Sequence, residues 1–243
     1  EKSLSLKEIG QKYKTDKFRD DVNYTEPYIQ YFEKLRDSDI NILEIGVAQG
    51  AGLLTWNEYF ENAQICGMDN WNKHRMSSVT EEKIEKENIK FFKGSQDSRV
   101  DLEKMVKLFG TFDIIIDDGG HTMGQQQISL GCLFKSLKSG GIYVIEDLVT
   151  SFDGFAKNKH KDYGKNAPNE IKISTLDFLK RLSQDNPRQG AFLEDEEFEY
   201  LLENIKSCEI FQNVAEYKYI DCPGTEKETV VVWPSTIAFI TKK

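Results

Sequence analysis

Apolar and polar positions along the chain alternate between two periods. Leu4–Tyr13 and Glu26–Leu35 carry apolar residues at spacings near 3.6 and predict a helical preface over residues 1–38, with a turn at Thr15-Asp16-Lys17 between them. Short apolar runs come next at Ile40–Val47, Gln64–Met68, Ile89–Phe92, Phe112–Ile116 and Gly141–Ile145. Between them lie amphipathic stretches at Leu53–Phe60, Val79–Lys86, Asp101–Phe109 and Met123–Leu137. Strands alternating with helices predict a parallel sheet with crossover helices on both faces. The unbroken apolar runs Ile42–Val47 and Ile114–Ile116 suit strands buried on both sides.

After Glu146 the rhythm changes. Residues 153–172 are polar, rich in Lys, Asn and Gly, and without periodicity, which predicts a lid loop. Ser174–Ser183 and Leu193–Asn204 read as helices, the second with acidic residues on a solvated face. Cys208–Ile220 and Val230–Thr241 are β-rich and joined by a Pro-Gly turn, so they predict an antiparallel hairpin closing the sheet edge. The expected fold is therefore α/β and Rossmann-like. Its sheet is mostly parallel and seven-stranded, with an antiparallel C-terminal hairpin, and 243 residues suit a single domain over 1–243.

Composition narrows the function. Charged residues make up 30% and hydrophobic residues 39%, as in soluble globular proteins, and the net charge of −9 argues against nucleic acid as a partner. Cys66, Cys132, Cys208 and Cys222 show no metal-ligand spacing and read as reduced thiols. No apolar run approaches the roughly 18 residues of a membrane span, and no signal peptide pattern opens the chain, which begins at Glu1. A cytoplasmic protein with no membrane partner is the expectation.

The first strand ends in Leu43-Glu44-Ile45-Gly46-Val47-Ala48-Gln49-Gly50. Glycines between a strand and its helix let backbone approach a ligand closely. The spacing Gly46-x-x-x-Gly50 is not the pattern that cradles a pyrophosphate, and Glu44 would repel phosphate while suiting the ammonium group of a sulfonium-bearing amino acid. Asp69, at the end of the second strand, is placed to accept ribose hydroxyls. The loop Lys93-Gly94-Ser95-Gln96-Asp97 would frame an adenine edge with Ser95 and Gln96, and Asp117 is assigned to the same cofactor side. The plainer alternative is a tight strand–helix turn with a solvated Glu44 and a helix-capping Asp69.

The densest chemistry lies in Asp117-Asp118-Gly119-Gly120-His121 and, on the next strand, in Glu146-Asp147. Neighbouring parallel strands would bring Asp118, Glu146 and Asp147 to one edge as an all-oxygen set of the kind Mg²⁺ or Mn²⁺ takes. Three carboxylates without a cation would repel one another. Otherwise each has a mundane place, capping a helix or solvated at a loop mouth. His121 is the natural general base for a hydroxyl, against a merely structural helix-start histidine; His74 and His160 read as surface residues. Together the two halves suggest S-adenosyl-L-methionine as cofactor and methyl transfer to an oxygen. A metal would activate a hydroxyl that is otherwise a poor nucleophile.

These residues resemble the metal-dependent sugar O-methyltransferases of macrolide biosynthesis, the mycinamicin type, within the class I S-adenosylmethionine-dependent methyltransferases. The resemblance runs from about Leu6 to Leu182 and rests on Asp117–His121, Glu146-Asp147, Thr15-Asp16-Lys17, Leu43–Val47, Trp56 with Tyr59-Phe60, Gly94 with Gln96, and Thr150-Ser151. It implies metal ligation by Asp118, Glu146 and Asp147, and His121 as base. The expected acceptor is a small-molecule sugar or sugar nucleotide, and Lys157, Lys159, Lys161 and Lys165 would meet a diphosphate or form a solvated run. The preface and the resemblance allow a homo-oligomer. Two other readings share the residues: a catechol-type O-methyltransferase, and a catalytically silent nucleoside-binding scaffold.

Overall fold

The structure, a computed structural model, describes residues 3–71, 76–152, 173–221, 226 and 229–243. The expectations for the 153–172 loop with its lysines, for His74 and His160, for Cys222 and for the Pro-Gly turn lie outside the described residues.

Seven strands form one sheet in the order β3-β2-β1-β4-β5-β7-β6. The strands β1 (Asn41–Ile45), β2 (Gln64–Asp69), β3 (Lys90–Lys93), β4 (Phe112–Asp117) and β5 (Leu137–Ile145) are parallel. β6 (Ile205–Asp221) and β7 (Thr229–Lys242) pair antiparallel, and β7 also pairs antiparallel with β5. The hairpin thus joins the sheet through its second strand. The side chains explain the order: Ile237, Ala238, Phe239 and Ile240 are all fully buried, as an interior strand requires. Around Glu209 and Gln212 the first hairpin strand alternates with polar residues, as an edge does.

Period-two alternation splits the core between the two faces. Ile42, Ile114, Ile116, Val144 and Phe239 pack on one side, while Leu43, Ile115, Tyr143, Ile145 and Ile240 pack on the other. Helices α1 (Leu6–Tyr13), α2 (Thr25–Phe32), α3 (Ala51–Tyr59) and α4 (Ser78–Lys86) contribute to the first face. Helices α5 (Arg99–Phe109), α6 (Met123–Leu133), α7 (Thr175–Ser183) and α8 (Asp195–Asn204) contribute to the second. The preface is welded on by aromatic contacts: Tyr28 meets Trp56 at 5.0 Å between ring centroids, and Tyr31 stacks on Phe239 at 4.4 Å.

The widest boundary differences from the pattern reading fall together, at the end of α6 and the start of β5, which was expected at Gly141. The helix expected over Met123–Leu137 ends at Leu133, passes through a 3-10 turn at Phe134–Ser136, and gives way to β5 at Leu137. Leu133, Phe134 and Leu137 continue a helical spacing, so periodicity runs past the true end. Leu137 pairs with Phe112 across the sheet, and that pairing decides. No described helix is long and apolar enough to cross a membrane. Cys66, Cys132 and Cys208 are free thiols.

Register positions the functional edge. Ile45, Asp117 and Ile145 are lateral partners across β1, β4 and β5. The next residue along each strand, Gly46, Asp118 and Glu146, therefore emerges beside the others. Asp118 N–H donates to the Ile45 carbonyl at 2.9 Å, and Glu146 N–H to the Asp117 carbonyl at 3.0 Å. Gly46 has φ +86°, and a Cβ there would collide with the Asp118 carbonyl. Gly46→Ala is expected to cost about 2 kcal/mol or more of stability, from both the left-handed backbone and the collision. Chemical denaturation measures this; a loss under about 0.5 kcal/mol would mean that the β1 and β4 loops are not so closely apposed.

Candidate active site

Asp118, His121 and Asp147 each offer a ligand atom within 4.8 Å of the others. His121 Nε2 lies 3.4 Å from Asp147 Oδ2 and 3.8 Å from Asp118 Oδ1. His121 Nδ1 is buried with no hydrogen-bond partner. Both His121 (φ 59°) and Asp147 (φ 53°) hold left-handed backbone, a conformation that non-glycine residues adopt at a cost of order 1 kcal/mol and that concentrates at functional sites. Local bonds keep them there. Thr150 Oγ1 donates to the His121 carbonyl at 2.8 Å, and the Tyr24 hydroxyl donates to Asp147 Oδ1 at 2.8 Å. Behind His121, α6 begins with a capping box between Thr122 and Gln125, which fixes how the loop enters the helix.

Glu146 points inward instead. It is buried, accepts a hydrogen bond from the Tyr28 hydroxyl, and pairs with the Lys17 ammonium at 3.0 Å. Lys17 is 2% exposed and pairs also with Asp118 and, at 3.2 Å, with Glu44. It sits in a 3-10 turn, Asp16–Phe18, anchored by Phe18 edge-on to Tyr28 and Trp56. Sequence alone gives Lys17 no role. In Lys14–Asp21 it is one charged residue among many, and only its place in the Thr15-Asp16-Lys17 motif sets it apart.

The electrostatics arise from burial among like charges. Burial, opposed by Lys17 and His121, pushes the Asp118 carboxyl up to about 7. Burial and the neighbouring Asp118 charge raise Glu146 well above the usual carboxylate range, against the pull of Lys17. Glu44 is raised by burial, with Lys17 and Trp56 opposing. Burial alone would lower the Lys17 ammonium, but Asp118, Glu146 and Glu44 together hold it well above its ordinary value. Tyr24 and Tyr28 are raised by burial and by the acids they touch, so both stay protonated donors. One ammonium thus faces Glu44, Asp118 and Glu146, with Asp147 beyond His121.

The residues assigned to the cofactor side fall into two groups. Glu44 is 1% exposed; its Oε1 accepts from Trp56 Nε1 at 3.2 Å, and its Oε2 has no partner. Gln96 and Asp117 form a buried brace: Gln96 Nε2 donates to Asp117 Oδ1 at 3.0 Å, and Gly120 N–H donates to Gln96 Oε1 at 2.7 Å. Ser129 donates to the other oxygen of Asp117 at 2.6 Å. Asp69 accepts from Val47 N–H at 2.8 Å, Ala48 N–H at 3.1 Å and Trp71 N–H at 2.7 Å, and so shapes the loop between Gly46 and Gly50. Ser95 donates its hydroxyl to Asp97 in its own loop and its N–H to Asp101 in the first turn of α5. The brace ties the third strand's loop to the Asp118 loop, so both respond to one network.

These shifts give the metal-free chain a pH dependence. An acid whose folded pKa is about 7 holds its proton in the native state where the unfolded chain has lost it. Its contribution is fully present below about 4 and declines as pH rises to about 7. In chelator, wild-type stability should fall over that window relative to Asp118→Asn; parallel pH profiles of the two melting temperatures would contradict the burial of an ionisable Asp118.

No family model matches the chain. Among curated proteins it is 29% identical over 219 residues to the mycinamicin VI 2''-O-methyltransferase of Micromonospora griseorubida, covering 86% of this chain and 51% of that protein. It is 35% identical over 136 residues to an 8-demethyl-8-(2-methoxy-alpha-L-rhamnosyl)-tetracenomycin-C 3'-O-methyltransferase of Streptomyces olivaceus, covering 53% of this chain and 33% of that one. Among solved structures, the MycE methyltransferase from the mycinamycin biosynthetic pathway, in complex with Mg and SAH, superposes with a TM-score of 0.69 at 25% identity. That match covers 99% of this chain and 55% of the other. The chain spans about half the length of the first of these relatives. It has the class I methyltransferase fold and is similar, over most of its own length, to sugar O-methyltransferases of macrolide and tetracenomycin pathways.

Proposed function

We propose that this chain binds S-adenosylmethionine and a divalent metal ion and transfers the methyl group to a hydroxyl of a sugar-bearing small molecule. The observation that carries the reading is the convergence of Asp118, His121 and Asp147 at the carboxyl ends of β4 and β5, beside the β1 loop. Ligands of open α/β sheets bind at such strand ends. The relatives named for O-methyl transfer, and a structural neighbour containing Mg and SAH, support the same reading.

The donor set fits a divalent cation. The carboxylates of Asp118 and Asp147, with Glu146 beside them, are the oxygen donors that Mg²⁺ or Mn²⁺ takes, and these acids still outnumber the ammonium beside them. Asp118 and Asp147 would hold the ion, with Glu146 joining by releasing Lys17. When bound, such an ion supplies Lewis acidity that lowers the pKa of a hydroxyl.

The chain's own residues do the rest. Tyr24 fixes the Asp147 carboxylate through its hydroxyl, and Tyr28 fixes Glu146. His121 accepts the acceptor's proton, and Asp118 and Asp147, 3.8 and 3.4 Å from Nε2, stabilise the imidazolium that results. Glu44, Gly46, Gly50, Asp69, Ser95, Gln96 and Asp117 form or brace the loops on the cofactor side, and Asp69 is the residue we assign to the ribose. Holding oxygen and methyl carbon in line removes most of the entropic cost of their encounter.

A mass-spectrometric screen of sugar nucleotides and glycosylated small molecules, with a catechol arm, tests the reading. A gain of about 14 daltons (one CH₂) that disappears with chelator is expected on a sugar acceptor. Asp118→Ala should abolish this turnover while cofactor affinity by calorimetry stays within a few-fold. His121→Ala should lose roughly 10²–10⁴ in rate. Methylation of catechol alone, or full turnover in chelator, would contradict the proposal.

A further inference from the structure

The proposed chemistry assigns no step to Lys17, although it sits among the acids of this edge. An ammonium ion leaves water only when fixed counter-charges surround it. Lys17 is 2% exposed and has three such charges from three strands: Glu44 on β1, Asp118 after β4 and Glu146 after β5. Among the described residues, the other basic side chain near any of these acids is His121, 3.8 Å from Asp118. The lysine reaches them from outside the sheet, on a turn clamped by Phe18, and its own carbonyl accepts from Tyr24 N–H at 2.9 Å. The same short segment therefore sends Lys17 to Asp118 and Glu146, Tyr24 to Asp147 and Tyr28 to Glu146.

The oxygens are divided between two sides. Lys17 takes Asp118 Oδ2 and Glu146 Oε1, while Asp118 Oδ1 and Asp147 Oδ2 face His121. A divalent ion drawn to Asp118 and Asp147 would sit a few ångströms from the ammonium. Like charges that close, in a poorly solvated pocket, repel strongly.

We propose that Lys17 is a positioning residue acting as a resident counter-cation: it holds Glu44, Asp118 and Glu146 together in the metal-free chain, and competes with a divalent ion for the oxygens of Asp118 and Glu146. The inference rests on the metal reading above and adds to it a device that keeps the site assembled yet weakens its grip, so that the ion exchanges. A lysine that was only a structural ion pair would have the opposite effect when removed, because a disordered site binds metal more weakly.

The sign decides. Protein stripped with chelator and returned to chelator-free buffer is titrated with Mn²⁺, free ion being counted by electron paramagnetic resonance, for wild type, Lys17→Met, Glu146→Gln and the double variant. Lys17→Met is expected to bind Mn²⁺ about tenfold or more tightly than wild type. In chelator it should melt about 5 °C or more lower, and Mn²⁺ should recover more of that loss than it adds to wild type. Equal or weaker Mn²⁺ binding by a folded Lys17→Met, with wild type still binding, overturns this inference alone. Should Lys17→Met fail to fold, the double variant has lost an anion along with the ammonium and is compared with Glu146→Gln; tighter binding by the double variant supports the inference, and equal or weaker binding overturns it. If neither wild type nor any variant binds Mn²⁺, this inference and the metal reading fall together.

Discussion

The structure depends on balancing negative charge at one edge of the sheet. Parallel strands in register deliver Asp118 and Glu146 side by side, and Glu44 lies on the strand next to them. Buried acids this close do not stay ionised without positive charge nearby. The chain supplies some of it through a single lysine from its N-terminal preface, and that contact fixes much else. It explains why the preface packs on the sheet face next to Trp56, and why Tyr24 and Tyr28 turn their hydroxyls toward Asp147 and Glu146. Among the described residues it also leaves a shortfall of positive charge, on the side where His121 stands.

Around this balance the backbone carries strain with visible support. His121 and Asp147 are left-handed, and each is held by hydrogen bonds from Thr150 or Tyr24. The Gln96–Asp117–Ser129 network stiffens the loop from below, and Gly46 lets the β1 loop lie against the Asp118 backbone. The His121 and Asp147 side of the edge is preorganised in this way, its polar groups oriented before any ligand arrives, while Asp118 and Glu146 are still engaged by Lys17.

Much of this was legible in the sequence, for physical reasons. The apolar runs at Ile42–Val47 and Ile114–Ile116 had to be interior strands, and parallel strands had to bring the loops at their carboxyl ends to one edge. That was enough to bring Asp118, His121 and Asp147 into one neighbourhood. The partner of each acid could not be read. Lys17 is about a hundred residues from Asp118 in sequence and lies in an ordinary charged stretch, so no periodicity marks it as buried. The inward turn of Glu146 was hidden likewise, since adjacent carboxylates look alike in sequence, whereas one lies beneath Tyr28 and the other faces His121. The end of α6 was misjudged because strand pairing at Leu137 overrode a helical spacing that continues through it.

A cation lodging between the two strand ends is the central claim. Diffraction from crystals soaked in Mn²⁺, recorded near the manganese absorption edge, measures this most directly. An anomalous peak at coordination distance from both Asp118 and Asp147 is the predicted result. Ordered density with those carboxylates apart and no anomalous signal between them would contradict it.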